Sequence, residues 1–371
     1  MKKFKKGLMV LALALFVGVS AFTLGACDHD HDYASVWSKD ETHHWHECKV
    51  EDCEEASDKA EHTASDWIID QQETYTVEGS KHKECTVCGY VMETDTMAKI
   101  PLSTWNGTVG VVPDAVNGVI EISTAEQLAA VAQYVNTYES ENEFSYAGVT
   151  IKLVIDIDLN NLDWTPIGSM EEYPGGSGFS GIFDGSGHTI YNLKVSVTGE
   201  EAAGLFGGIN SGSEVKNLTI KNVNITSNRW AGGIVGYAGD NNEKIKITNC
   251  RVEGGTITGA TEFVEAEEKY DNGDKIGGIV GYICGAVDVD GCSVKNVTIK
   301  GYRDIGGIVG FANDGVSVKN NTIEENVVVT VDNTHNYKNY ETSAEHDAGS
   351  IIGEKSSEVL EENNTGTATI N

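Results

Sequence analysis

Two pairs of cysteines stand where metal chemistry or cross-linking could occur: Cys48 and Cys53, four residues apart, and Cys85 and Cys88, two apart. Two such knuckles can supply four thiolates to a tetrahedral structural zinc ion. Most of the histidines lie in the same stretch, as His29, His31, His43, His44, His46, His62 and His82. Three ligand sets are therefore open. All four cysteines hold one zinc; or histidines join them, with His46 and His62 flanking the first pair and His82 the second; or the cysteines form disulfides, which an oxidising compartment permits. Pairs so close in sequence suit metal better than disulfides. A catalytic zinc is disfavoured, since the chain has no His-Glu-x-x-His and nothing obvious supplies a general base.

The elements that position these residues span residues 28–100, a small Cys/His-rich domain with too few aliphatic side chains to build a core alone. A chain this short needs a staple. The carrying residues are His44-Trp45-His46-x-Cys48, Asp66-Trp67, and Gly79-Ser80-x-His82-x2-Cys85-x2-Cys88-Gly89. They resemble zinc-ribbon-like Cys/His repeats of surface proteins from Gram-positive anaerobes. The four-residue gap in the first pair departs from that pattern.

Residues 1–27 begin with Lys2, Lys3, Lys5 and Lys6, continue through an apolar stretch from Leu8 to Phe22, and end in Leu24-Gly25-Ala26-Cys27. The apolar run is that of a secretory signal and is too short for an ordinary membrane span. Its ending resembles the lipobox of bacterial lipoproteins. That resemblance implies acylation of Cys27 and a mature chain held by its lipid on the extracytoplasmic face of the cell membrane. Composition agrees with exposure: 26 Lys and Arg stand against 57 Asp and Glu, a net charge of −31. Such a chain repels polyanions, so nucleic acid is excluded as a partner.

The rest of the chain is organised by a five-residue phrase. It appears as Ala203-Gly204-Leu205-Phe206-Gly207, Gly232-Gly233-Ile234-Val235-Gly236, Gly277-Gly278-Ile279-Val280-Gly281, Gly306-Gly307-Ile308-Val309-Gly310 and Gly349-Ser350-Ile351-Ile352-Gly353. The closing glycines are 29, 45, 29 and 43 residues apart, so a period of 29 carries two insertions. After each phrase come short β-branched runs broken by Gly, Asn and Asp, with no helical period. Three short strands per repeat predict the coils of a right-handed parallel β-helix over residues 119–371. Leu218, Cys250, Cys292, Asn321 and Asn363 are expected to stack at one inner corner. The phrase glycines are expected at sharp corners with positive φ and close backbone approach between coils.

The glycine phrase with its downstream Asn-Cys or Asn-Leu strand resembles the GLUG motif, found in β-helical surface proteins of anaerobic bacteria and beside IgA-protease-type domains. The run Phe179 to Leu193 resembles the first coil that precedes such repeats. This likeness is informative about fold and says little about function.

Residues 101–118, with Pro101 and Pro113, are expected to be linker. Ser123-Thr124-Ala125-Glu126 forms a capping box ahead of Leu128, Val131, Ala132 and Val135, which predicts one amphipathic helix over about residues 124–138. A stack of parallel strands has an open end, and this helix is expected to cap it.

The insertions, residues 260–275 and 332–347, are polar. Asp271 and Asp274 offer hard oxygens to calcium, though without an EF-hand pattern. Tyr337 and Tyr340 could stack on sugar rings. Acidic residues do not recur in the paired register that a β-helical polysaccharide lyase or hydrolase would need. The expectation is a non-catalytic surface module for an extracellular glycan or host protein, with a passive spacer and a polysaccharide-cleaving enzyme as alternatives.

Overall fold

The computed structural model describes residues 30–75, 77–137, 146–169, 178–197, 201–259, 274–331 and 348–371. The chain divides into two compact units, Met1–Lys99 and Ile100–Asn371. Apart from one helix, the regular structure of the described residues is β. No helix among them is long and apolar enough to cross a membrane. Cys27, Asp271, Tyr337 and Tyr340 lie outside the described residues. Asp274 is described only in its backbone, which pairs with Arg303.

The first unit contains two antiparallel three-stranded sheets. One is formed by β1 (Ser38–Lys39), β2 (His43–Glu47) and β3 (Ala56–Glu61). The other is formed by β4 (Ile68–Gln71), β5 (Gly79–Glu84) and β6 (Val91–Met97).

In the second unit the chain visits three parallel sheets in rotation. Ala231–Gly232, Val235–Thr248 and Arg251–Gly259 make one circuit, and Asp274–Gly277, Val280–Asp290 and Ser293–Gly301 the next. Each strand pairs in parallel with its counterpart one circuit on. A parallel β-helix fits this path. Alternation puts aliphatics of successive coils in line: Ile220, Val252, Val294 and Ile323 share one register, and Val215, Ile247, Val289 and Val318 another. All eight are buried. No coil could hide these faces alone, so stacking and burial come together.

Two boundaries differ from the expectation. The stretch expected as linker supplies β7 (Leu102–Thr104), which pairs in parallel with the strand Asp156–Asp158. Trp105 is buried beside it, edge-on to Trp164 at 5.4 Å. The apolar side chains between the two prolines thus extend the sheet. The helix, α1 (Ala125–Asn136), is capped one residue later than the expected box: Thr124 Oγ1 accepts from Gln127 N at 3.2 Å, and Gln127 Oε1 accepts from Ser123 N at 2.8 Å. Its buried face of Leu128, Val131, Ala132 and Val135 joins the same hydrophobic core.

The corners also need correction. None of the phrase glycines has positive φ. They are required by close approach: a Cβ on Gly277 would lie 2.0 Å from Val280 O, and one on Gly306 1.9 Å from Val309 O. Positive φ is instead taken by asparagine, at Asn217, Asn249, Asn320 and Asn363, whose short polar side chain tolerates it. Asn363 is therefore a corner residue, and Asn364 takes the interior place expected for it. Asn364 Oδ1 accepts from Asn321 N at 2.9 Å and from Nδ2 at 3.1 Å, while Asn321 Oδ1 accepts from Cys292 N at 2.8 Å. Cys250 and Cys292 are buried, unbridged thiols at successive steps of this ladder.

Candidate metal centre

The first unit brings four ligand atoms together, from His44, His62, Cys85 and Cys88, all within 4.8 Å of one another. Strand β2 carries His44, whose side chain points inward and is buried. His62 follows β3 directly and donates its backbone N–H to Thr42 O at 3.1 Å. Cys85 follows β5; its N–H reaches Tyr90 O at 2.8 Å, and its carbonyl accepts from Gly89 N at 2.9 Å. That tight turn, with Gly89 at φ 65°, swings Cys88 back beside Cys85.

The spacings match a coordination tetrahedron. His44 Nδ1 and His62 Nδ1 are 3.4 Å apart, Cys88 Sγ and His62 Nδ1 3.5 Å, and Cys85 Sγ and His44 Nδ1 3.7 Å. Zinc bonds of about 2.0–2.3 Å give tetrahedral edges of roughly 3.3 Å between two nitrogens and roughly 3.6 Å between nitrogen and sulfur. The donor set thus fits such an ion.

Surrounding groups orient the ligands. His62 Nε2 lies 2.9 Å from the Asp40 carbonyl, which holds the proton there and leaves Nδ1 as a lone-pair donor. That carbonyl is itself fixed: Asp40 Oδ1 accepts from Thr42 N and His43 N, each at 2.7 Å. These two bonds bring the Asp40 carboxyl down to about 2. The His62 ring stacks on Tyr90 at 4.8 Å, and Trp37 meets the His44 ring edge-on at 4.6 Å. Burial pushes the Cys85 thiol up, but backbone groups of Cys88, Val87 and Thr63, with the His62 ring, outweigh it and bring the thiol down to about 6. Burial, with Cys85 beside it, holds the Cys88 thiol above its ordinary range. One thiolate is thus readily available, and a cation would favour the second.

The structure does not gather the four cysteines into one set. Cys48 and Cys53 group with His31 instead. Of the candidate histidines, His62 joins Cys85 and Cys88, whereas His46 and His82 have other partners. His46 stacks on Trp37 at 3.8 Å, and His82 Nδ1 meets Asp70 Oδ1 at 2.6 Å. The physical reason is the division into two sheets, each of which carries its own cysteine pair at a strand end. His44 and His31, which converge with the cysteines, were not among the expected ligands. Nothing in the run His43 to His46 distinguishes the residue that turns inward.

Known proteins resemble this chain in sequence or in fold. The model of the GLUG motif matches residues 228–258. Halomucin from Haloquadratum walsbyi is 32% identical over 148 residues, which are 38% of this chain and 1% of halomucin. The chain thus spans a very small part of that relative's length. A crystal structure of a "putative immunoglobulin A1 protease" from Bacteroides ovatus aligns over 66% of this chain and 74% of its own, at 19% identity and a TM-score of 0.42.

Proposed function

We propose that this is a non-catalytic bacterial surface protein, tethered through a lipid on Cys27 and presenting a ligand-binding scaffold for an extracellular glycan or host protein. The observation that carries the scaffold reading is the direction of what the repeats share. Leu205, Ile234, Ile279 and Ile308 point into the core, while outward positions change from coil to coil. Those outward positions carry ion pairs across coils, Arg251 with Glu324 and Lys295 with Glu325. Partly exposed pairs of this kind add on the order of 1 kcal/mol each, so they can vary without loss of fold.

In the first unit the ion is zinc in a structural role, since two imidazoles and two thiolates fill its four positions. In the second, α1 follows β8 (Val119–Ile122), the terminal strand of its sheet, which suits a cap on a right-handed solenoid.

A binding screen of the mature chain against glycans and matrix proteins tests the reading. Saturable binding without change in the ligand supports it; release of reducing ends or unsaturated sugars would establish a polysaccharide-cleaving enzyme instead. The anchor has its own test. Cys27→Ala should move the protein from the membrane fraction to the medium, and membrane retention of that variant would refute lipidation.

A further inference from the structure

The first unit is one motif written twice, and the likeness lies in its backbone as well as its residues. Tyr33 bridges Cys48, and Ala64 bridges Cys85, each pair antiparallel. Ala34 N donates to Glu47 O at 2.8 Å, and Ser65 N to Glu84 O at 2.8 Å. Lys49 N donates to Asp32 O at 2.7 Å, and Thr86 N to Thr63 O at 2.9 Å. Cys48 N reaches Glu55 O as Cys85 N reaches Tyr90 O, at 3.1 and 2.8 Å. This correspondence sets His31 against His62, Cys48 against Cys85 and Cys53 against Cys88. The ligand contact is reproduced too: Cys53 Sγ lies 3.5 Å from His31 Nδ1, the distance between Cys88 Sγ and His62 Nδ1.

We infer that His31, Cys48 and Cys53 form a second site for a soft divalent cation of the zinc type, so that this unit holds two ions rather than one. The inference rests on the zinc reading of the first centre. Two thiolates and an imidazole are a donor set selective for such ions over calcium or magnesium. The four-residue gap between Cys48 and Cys53 is absorbed in a wider loop, with Asp52 at φ 65°, and the cysteines still converge on His31.

The sites differ in their fourth ligand. In the second motif it is His44, lent by β2 of the first motif. Among the described residues three ligand atoms converge in the first motif, and His31 is exposed where His44 is buried. Its ion would therefore be the more accessible of the two to solvent and to a chelator.

The test is metal analysis of the mature full-length chain loaded with zinc under reducing conditions, followed by titration with a chromogenic chelator. Two zinc ions per chain are expected, released in two steps. Cys48→Ser with Cys53→Ser should abolish the easily released ion and leave the tighter one. The milder His31→Gln should weaken the same step and leave the first site loaded, which guards against a misfolded double variant. Cobalt(II) substitution should give thiolate charge-transfer absorption that falls by about half in the Cys48/Cys53 variant. One ion in the wild type, unchanged by either substitution, would overturn the second site alone. Zero ions in every form would overturn the first centre as well, so the two failures are distinguishable. A Cys48–Cys53 disulfide that persists under reducing conditions would also overturn it.

Discussion

The two units solve the same problem of stability by opposite means. In the second, rows of Ile, Val and Leu from successive coils are fully buried, and three sheets close around them. In the first, Cys85 is the sole residue among those described that belongs to the buried apolar core, while Val36, Ile69 and Val91 stand exposed. Ligand side chains take the place of aliphatic ones there. The difference teaches where each unit is fragile: the second at any one of many packed positions, the first at a single point.

The largest expected effect follows from that contrast. Removing metal with a chelator, or Cys85→Ser, should unfold Met1–Lys99 and leave Ile100–Asn371 folded. Binding free energies of structural zinc are about 10–16 kcal/mol, more than the whole stability of a small domain. Limited proteolysis should cut the first unit and spare the second. Equal sensitivity of both would abolish the comparison.

Next come the interior thiols of the second unit. Cys250→Arg should cost several kcal/mol, because an unpaired charge would be buried between coils. Cys250→Val should cost less than about 1.5 kcal/mol, since the thiol behaves as a small hydrophobe. The neighbouring Cys292 thiol and burial both hold Cys250 well above its ordinary range, so it should resist alkylation until the protein unfolds. Rapid labelling of the native protein at Cys250 or Cys292 would contradict their position.

The Asn321 ladder sharpens the comparison at a smaller scale. Asn321→Ala removes acceptors and donors from Cys292 N, Val289 O and Asn364, and should cost about 1–3 kcal/mol in denaturant melts. A neutral result would show that packing alone decides the inner corner.

The last effect is one of pH. Burial, and then Glu354 beside it, raise the Asp304 carboxyl to about 8, against Arg303 and Lys275, which favour its charge. The folded state keeps a proton that the unfolded chain releases near about pH 4. Its contribution is therefore complete below that pH and is lost as pH rises toward about 8, at up to about 1.4 kcal/mol per pH unit. Asp304→Asn should flatten the stability of the second unit across that window. An unchanged profile would place the titration elsewhere.

How much was legible in the sequence follows a physical line. A period of 29 residues with β-branched runs implies stacked parallel strands, because a repeated pattern with one apolar face must be buried against its own copies. The same logic puts Cys250, Cys292 and Asn321 at one step of successive repeats. It slipped by one residue at Asn363, since two adjacent asparagines do not reveal which takes the left-handed corner and which turns its amide inward. It also assigned positive φ to the phrase glycines along with close backbone approach. Only the approach is needed, to a carbonyl three residues on at Gly277 and Gly306 and to one in the next coil at Gly278 and Gly307.

The cysteine pairs show the limit most clearly. Types and spacing alone marked this segment for metal or disulfide chemistry, because thiolates and imidazoles in close pairs have few other uses in a chain without a core. Which of them share an ion was decided only in three dimensions. The two pairs lie on different sheets, and His44 reaches the second pair from a strand of the first motif. A ligand set is defined by distances of a few ångströms between residues tens of positions apart, and local periodicity carries no information about those.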